Sequence, residues 1–173
     1  MRKLIVGEFV SLDGVMQAPG GADEDTDGDF THGGWTWPYW DDEIGVYFEQ
    51  TISQCDTLLL GRKTWQIHGN AFEPMGEDEP FYGLKKVVVS TTLESADAWR
   101  DSTLIRANIV AEVHKLKEAS GKNIYTDGSS VLVHTLAQHD LVDEYSLLVY
   151  PLVLGSGKRL FPDDVRVNLK PVS

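Results

Sequence analysis

Residues 58–60 are three leucines in succession, a run that leaves a strand no polar face and suits burial on both sides. Residues 3–10 (Lys-Leu-Ile-Val-Gly-Glu-Phe-Val) and 86–90 (Lys-Val-Val-Val-Ser) follow the same pattern. So do residues 143–151, where Tyr145, Leu147 and Val149 lie opposite Leu148 and Tyr150. Residues 123–126 predict a further short strand. Helical spacing appears between these runs. Ile44, Tyr47, Phe48, Thr51 and Ile52 share one face of a helix capped by Asp41 or Asp42 and reaching about Gln54. Ile109, Val113 and Leu116 follow an Asn108 cap and stop at Gly121. Leu132, Val133, Leu136 and Ala137 follow Gly128. Residues 68–83, punctuated by Gly and Pro, predict a loop. The order strand, helix, strand, strand, helix, strand, helix, strand predicts an α/β fold with a largely parallel sheet, and the whole chain, 1–173, forms one domain.

A parallel sheet would open its strand ends at Gly61, Ser90 and Asp127 on one edge. Gly61 is followed by Arg62, Lys63 and Thr64, where a helix should begin. Ser90, Thr91 and Thr92 follow the next strand, and Gly128 and Ser129 open the last helix. Strand ends and helix N-termini offer unpaired N–H groups, so three such ends on one edge predict a nucleotide cleft. No Gly-x-Gly-x-x-Gly fingerprint is present, which disfavours an ordinary Rossmann dehydrogenase. Gly155-Ser156-Gly157-Lys158 fails as a phosphate loop, because Leu152 stands where its first glycine belongs; it reads as a turn between strands.

Charge narrows the field. Fifteen basic residues against twenty-seven acidic ones give −12, which argues against a nucleic-acid or anionic-membrane surface. Any phosphate must therefore be held by local cations and backbone amides. Cys55 is the only cysteine, so neither an internal disulfide nor a multi-cysteine zinc site is available. The first apolar run stops at Glu8, too early for a signal peptide, and no window approaches a membrane span of roughly 20 apolar residues. A cytoplasmic protein is expected.

Two stretches offer other chemistry. In the acidic loop of residues 19–34, Asp23, Asp25, Asp27 and Gly28 fall at calcium-loop spacing, but the twelfth position is Gly34 in place of a bidentate Glu. No metal site is expected, and the segment reads as a mobile loop that can fold over a ligand. Trp35, Trp37, Tyr39 and Trp40 come next and suit either core or the floor of a pocket for a flat heterocycle. Asp13, in the turn Ser11-Leu12-Asp13-Gly14 after the first strand, suits either a turn hydrogen bond or catalysis.

These residues resemble a known family. Gly61-Arg62-Lys63-Thr64-Trp65 looks like the cofactor turn of dihydrofolate reductases. Asp127-Gly128-Ser129, Leu141-Val142-Asp143-Glu144, and Pro151 with Leu154-Gly155-Ser156-Gly157-Lys158-Arg159-Leu160-Phe161 resemble the RibD C-terminal reductase domain of bacterial riboflavin-biosynthesis proteins. Ser11-Leu12-Asp13-Gly14 is similar to that family's first-strand signature. The resemblance implies a dihydrofolate reductase-like three-layer fold with a central, largely parallel mixed sheet, NADPH as cofactor, and a homodimer. It implies that Arg62, Lys63 and Thr64 meet the cofactor phosphates, that Ser90, Thr91 and Thr92 lie near the 2′-phosphate, and that Gly61, Gly128 and Ser129 complete the cleft. Asp13 would lie near the nicotinamide, with Asp42 and Glu43 as further candidate proton donors.

The expected activity is reduction of 5-amino-6-(5-phosphoribosylamino)uracil or a related small heterocycle. The chain departs from the pattern in two places. Dihydrofolate reductases carry an acid one helical turn before a substrate-touching Phe, where Ile44 precedes Phe48 here. A carboxylate at Asp127 would repel pyrophosphate unless it were otherwise engaged. A dihydrofolate reductase proper and a non-catalytic nucleotide-binding dimer are the alternatives.

Overall fold

The computed structural model describes residues 1–163 and 166–172. Six strands, β1 (Leu4–Ser11), β2 (Cys55–Gly61), β3 (Lys85–Val89), β4 (Ser102–Ile105), β5 (Asn123–Thr126) and β6 (Glu144–Tyr150), form one sheet in the order β4-β3-β2-β5-β1-β6. The unbroken apolar runs sit where they should. Leu58, Leu59 and Leu60 are fully buried in β2, between β3 and β5, and β1 lies between β5 and β6. Helices α1 (Asp42–Ser53) and α2 (Arg62–Phe72) cover one face, where Ile52 and Trp65 meet Ile5, Leu58, Leu60 and Tyr125. Helices α3 (Ile109–Glu118) and α4 (Ser130–Gln138) cover the other, where Val113, Leu132 and Leu136 meet Leu4, Val6 and Leu59. Three layers result.

Every strand pairing is parallel, so the expected mixed character is absent among the described strands. Three local expectations are also corrected. The segment from His68 is helical as far as Phe72, because Trp65, His68 and Phe72 form a stripe that packs on Phe81 and Trp99. β4 has only four residues at the sheet edge, half-exposed, too short and too polar to stand out as a run. β6 ends at Tyr150, and residues 152–154 do not continue it. Residues 155–158 therefore do not join two strands; among the described residues beyond them, the pairing is limited to an isolated antiparallel bridge from Arg159 to Val15.

Two features organise the carboxyl edge of the sheet. β5 is inserted between β1 and β2, so the connections part on either side of these strands, and ligands of open parallel sheets bind beyond the carboxyl ends at such a point. Below that edge, Lys86 on β3 and Glu79 form an ion pair of 2.7 Å with both side chains fully buried. The Trp99 indole N–H donates to the other Glu79 oxygen at 2.8 Å. This pair fixes the segment that carries Phe81.

Candidate active site

A cleft of about 1190 Å³ opens at the carboxyl ends of β1, β2 and β5. Its two halves differ in chemistry. One is built by helix starts. α2 begins at Gly61, which has no side chain to cap it, and α4 begins at Ser129, whose side chain makes no bond to its own helix. The Ser129 hydroxyl instead accepts the Gly61 N–H at 2.9 Å, and the Ser129 N–H donates to the Thr64 hydroxyl at 2.9 Å. This reciprocal clasp joins the two helix starts and leaves their first N–H groups for a ligand. Ser129 takes φ 53°, a left-handed conformation that costs a non-glycine residue roughly 1–2 kcal/mol and that the two bonds offset. Gly128, at φ 54°, has no room for a side chain: a Cβ there would lie 2.9 Å from the Thr64 methyl.

Cations stand on the same wall. Among the described residues the Arg62 side chain bonds only to Gln66 of its own helix, at 3.2 Å, and it is exposed. Lys63 is engaged. Its ammonium lies 2.6 Å from Asp25 and 2.7 Å from Asp27, and Lys158 makes the same two contacts at the same distances. The two lysines hold Asp27 down to a pKa of about 2, through hydrogen bonds first and charge second. Burial would raise Asp25, but the same lysines outweigh it and leave it below the usual carboxylate range. Gln17 completes the strap, donating to the carbonyls of Asp25 and Asp27 at 3.0 Å and accepting the Lys158 N–H at 2.9 Å. The acidic loop is thus tied across the mouth of the cleft. Among the described residues no group of three or more His, Cys, Asp or Glu side chains is arranged to hold a metal ion.

The other half is aromatic and acidic. Phe48, Phe72, Phe81, Tyr125, Trp37 and Trp40 line it, while Trp35 belongs to the core. His68 stacks on Phe81 with ring centres 5.6 Å apart and places Nε2 3.1 and 3.3 Å from the two Asp127 oxygens, a contact that suits a donating Nε2–H. Burial would depress His68; the Asp127 carboxylate overcomes that and, with Glu24, raises it above the ordinary imidazole value. Asp127 is therefore engaged by His68 and does not cap α4. Glu8 reaches the same region from β1. Burial, then the charge of Asp127, pushes its carboxyl well above the ordinary range. Tyr125 is raised in turn, by burial first.

Of the residues expected from sequence, Gly61, Arg62, Lys63, Thr64, Gly128 and Ser129 all line this cleft. Ser90, Thr91 and Thr92 do not: they follow β3, one strand further out, and the Ser90 hydroxyl accepts the N–H groups of Thr92 and Leu93 to close its own turn. Asp13, Asp42 and Glu43 are not brought to the cleft either. Asp13 accepts from the Ser11 hydroxyl at 2.6 Å and from the N–H groups of Leu154 and Gly155 at 3.1 and 2.8 Å, and these bonds lower its pKa to about 2. It anchors the chain's last segment, and at neutral pH it has no proton to give. Asp42 and Glu43 are exposed on the first turn of α1, which Asp41 caps by accepting the Ile44 N–H at 3.1 Å.

Glu8, Glu24, His68 and Lys158 escape a reading of the sequence, although Glu8 leaves a signal. A single acid in a strand apolar on both faces is a buried charge that needs a reason. His68 would follow from continuing the helix that Arg62 begins.

The sheet and its two helical layers, with the cleft at the switch point, form an α/β protein with a dihydrofolate reductase-like fold. The chain aligns with a Schistosoma mansoni dihydrofolate reductase at a TM-score of 0.58 and 14% identity, covering 98% of this chain and 87% of that one. It aligns with a Shewanella sp. PV-4 protein assigned to riboflavin biosynthesis at a TM-score of 0.63 and 23% identity, covering 93% and 84%. Within that class the RibD C-terminal domain profile matches residues 2–173, and the chain belongs to the RibD C-terminal domain family. Two Bacillus subtilis (strain 168) proteins of uncharacterised function are relatives. YyaP is 34% identical over 181 residues, covering 99% of this chain and 87% of its own, and YwjB is 32% identical over 174 residues, covering 98% and 90%.

Proposed function

We propose that this protein is an NADPH-dependent reductase of the riboflavin-biosynthesis type, acting on 5-amino-6-(5-phosphoribosylamino)uracil or a related small nitrogen heterocycle. The observation that carries the reading is the clasp between Ser129, Gly61 and Thr64, which turns two uncapped helix starts toward one cleft. Their N–H groups and Arg62 suit the phosphates of a dinucleotide. Bound there, the reduced cofactor supplies hydride. The residues of the chain bind and orient: Phe48, Phe81 and Tyr125 offer flat apolar surface to a heterocycle, and the strap of Asp25 and Asp27 narrows the mouth against water. A dihydrofolate reductase proper is less well supported, because neither acid of the first turn of α1 lines the cleft.

Loss of NADPH absorbance with a substrate panel containing that uracil and dihydrofolate tests the reading; no oxidation with any member would count against it. Arg62 is the freer cation, so Arg62→Ala should weaken NADPH about tenfold or more and NADH less, as loss of a charge-assisted bond requires. Equal loss for both cofactors would remove Arg62 from the 2′-phosphate. The same reading includes a homodimer. β6 is the sheet edge, and Val149 and Val153 are exposed along and beyond it. Light scattering that returned a monomer at micromolar concentration would contradict it.

A further inference from the structure

Three buried side-chain oxygens among the described residues have no hydrogen-bond partner: Glu8 Oε1 and the hydroxyls of Thr126 and Tyr150. Only Glu8 lines the cleft. It leaves the middle of β1, two residues beyond Val6, which pairs with Thr126, and so comes level with the Gly128 turn between the helix starts and the aromatic half. The residue is 8% exposed. The groups that face it are Asp127 beyond β5, the Gly128 N–H, whose hydrogen bond alone favours the charged form and is outweighed, Glu24 from the acidic loop, the Tyr125 ring, and His68 of α2 through Asp127. Among the described residues no cation pairs with it. A carboxylate between two other carboxylates and an apolar wall is unfavourable, whereas a neutral carboxyl there has a proton to give and an open lone pair.

Resting on the reductase reading above, we propose that Glu8 is the catalytic acid of this cleft: it holds a proton in the free protein and delivers it to the nitrogen of a substrate C=N bond. The step balances. The carbon of the C=N bond gains a hydride from a dihydronicotinamide, which is left as a pyridinium. The π pair moves to nitrogen, nitrogen takes the proton from Glu8, and the O–H pair stays on Glu8 as carboxylate. Water at the mouth restores the proton, with the His68–Asp127 pair alongside. The substrate class follows from the same geometry: an imine, or a ring with a C=N bond, flat enough for the aromatic wall. The raised carboxyl pKa agrees with this, since burial and Asp127 both favour the protonated form.

The test compares wild type with Glu8→Gln, which keeps the shape and a hydrogen-bond donor but has no proton to transfer. NADPH affinity, read by protein fluorescence, should stay within about twofold, while reduction of 5-amino-6-(5-phosphoribosylamino)uracil should fall about 10²-fold or more, with partial rescue in Glu8→Asp. A second readout needs no ligand. A group whose folded pKa is raised contributes stability that is full below its ordinary value of 4.5 and is lost as pH rises toward the folded value. The melting temperature of wild type should therefore fall relative to Glu8→Gln from about pH 4.5 upward. Melting temperatures that track each other across pH 4–8, or a Glu8→Gln variant that turns over at the wild-type rate, would overturn the proposal while leaving the reductase reading intact. Wild type that neither binds nor oxidises NADPH would overturn both.

Discussion

Replacing Glu79 by Gln changes one atom and should be among the most damaging substitutions in this chain. Glu79 and Lys86 are both fully buried, with the ammonium 2.7 Å from one carboxylate oxygen and 4.9 Å from the Trp99 ring centre. In Glu79→Gln the one amide oxygen can still accept the Trp99 indole N–H, now held at 2.8 Å, but the amide NH2 then faces the Lys86 ammonium, so the counter-charge and the hydrogen bond from Lys86 are lost together. An uncompensated buried ammonium costs about 3–5 kcal/mol. For a chain of this length that is roughly 6–20 °C in melting temperature. The double variant Glu79→Gln/Lys86→Met removes both charges and keeps the indole acceptor, so it should recover most of the loss. Urea denaturation followed by tryptophan fluorescence measures all three proteins. A single variant that lost less than about 1 kcal/mol, or a double variant no better than the single, would refute the assignment of the cost to the unpaired charge. The effect should reach the cleft, because the same segment carries Phe81, on which His68 stacks.

Gly128→Ala should destabilise the fold by about 2–3 kcal/mol, summing the left-handed strain and the loss of the Ser129–Thr64 bond as the new methyl displaces Thr64. It should weaken NADPH at the same time, and unchanged affinity in a folded Gly128→Ala would detach the clasp from binding. Asp25→Asn/Asp27→Asn frees Lys63 and Lys158, so NADPH affinity should rise, by up to about fivefold at low salt, and weakened binding would show that the strap serves the ligand directly. The strap also has a pH signature. Both carboxyls are held below their ordinary pKa, so the stability they contribute is present above pH 3.8 and is lost as pH falls toward about 2. The stability of wild type relative to the double Asn variant should therefore decline over that acid range, and a difference that stayed constant across it would contradict the lowered values.

What could be read from the sequence divides by range. The interior strands announced themselves, because residues such as Leu58–Leu60 are buried on both faces and need no partner to be recognised. The helix starts at Gly61 and Gly128 were legible from glycine followed by a polar residue at a strand end. Longer-range facts were not. Nothing near His68 says that Asp127 will meet it, and nothing near Lys158 says that it will share Asp25 and Asp27 with Lys63; the first pair needs β5 beside β2, and the second needs β6 beside β1. Asp13 misled for a related reason. A strand-end acid suits catalysis or a turn equally, and its choice is made by the N–H groups of Leu154 and Gly155, some 140 residues away in the chain. β4, short and half-exposed, had too little apolar signal to register at all.

If the clasped starts of α2 and α4 hold the phosphates of a reduced dinucleotide, amide chemical-shift mapping during an NADPH titration is the most direct test. The N–H signals of residues 62–64 and 129–131 should move together and saturate at one ligand per chain, with Arg62→Ala shifting the curve to higher concentration. No saturable shifts at millimolar NADPH, or shifts gathered instead at the separate cavity lined by Leu93, Glu94 and Ser95, would contradict it.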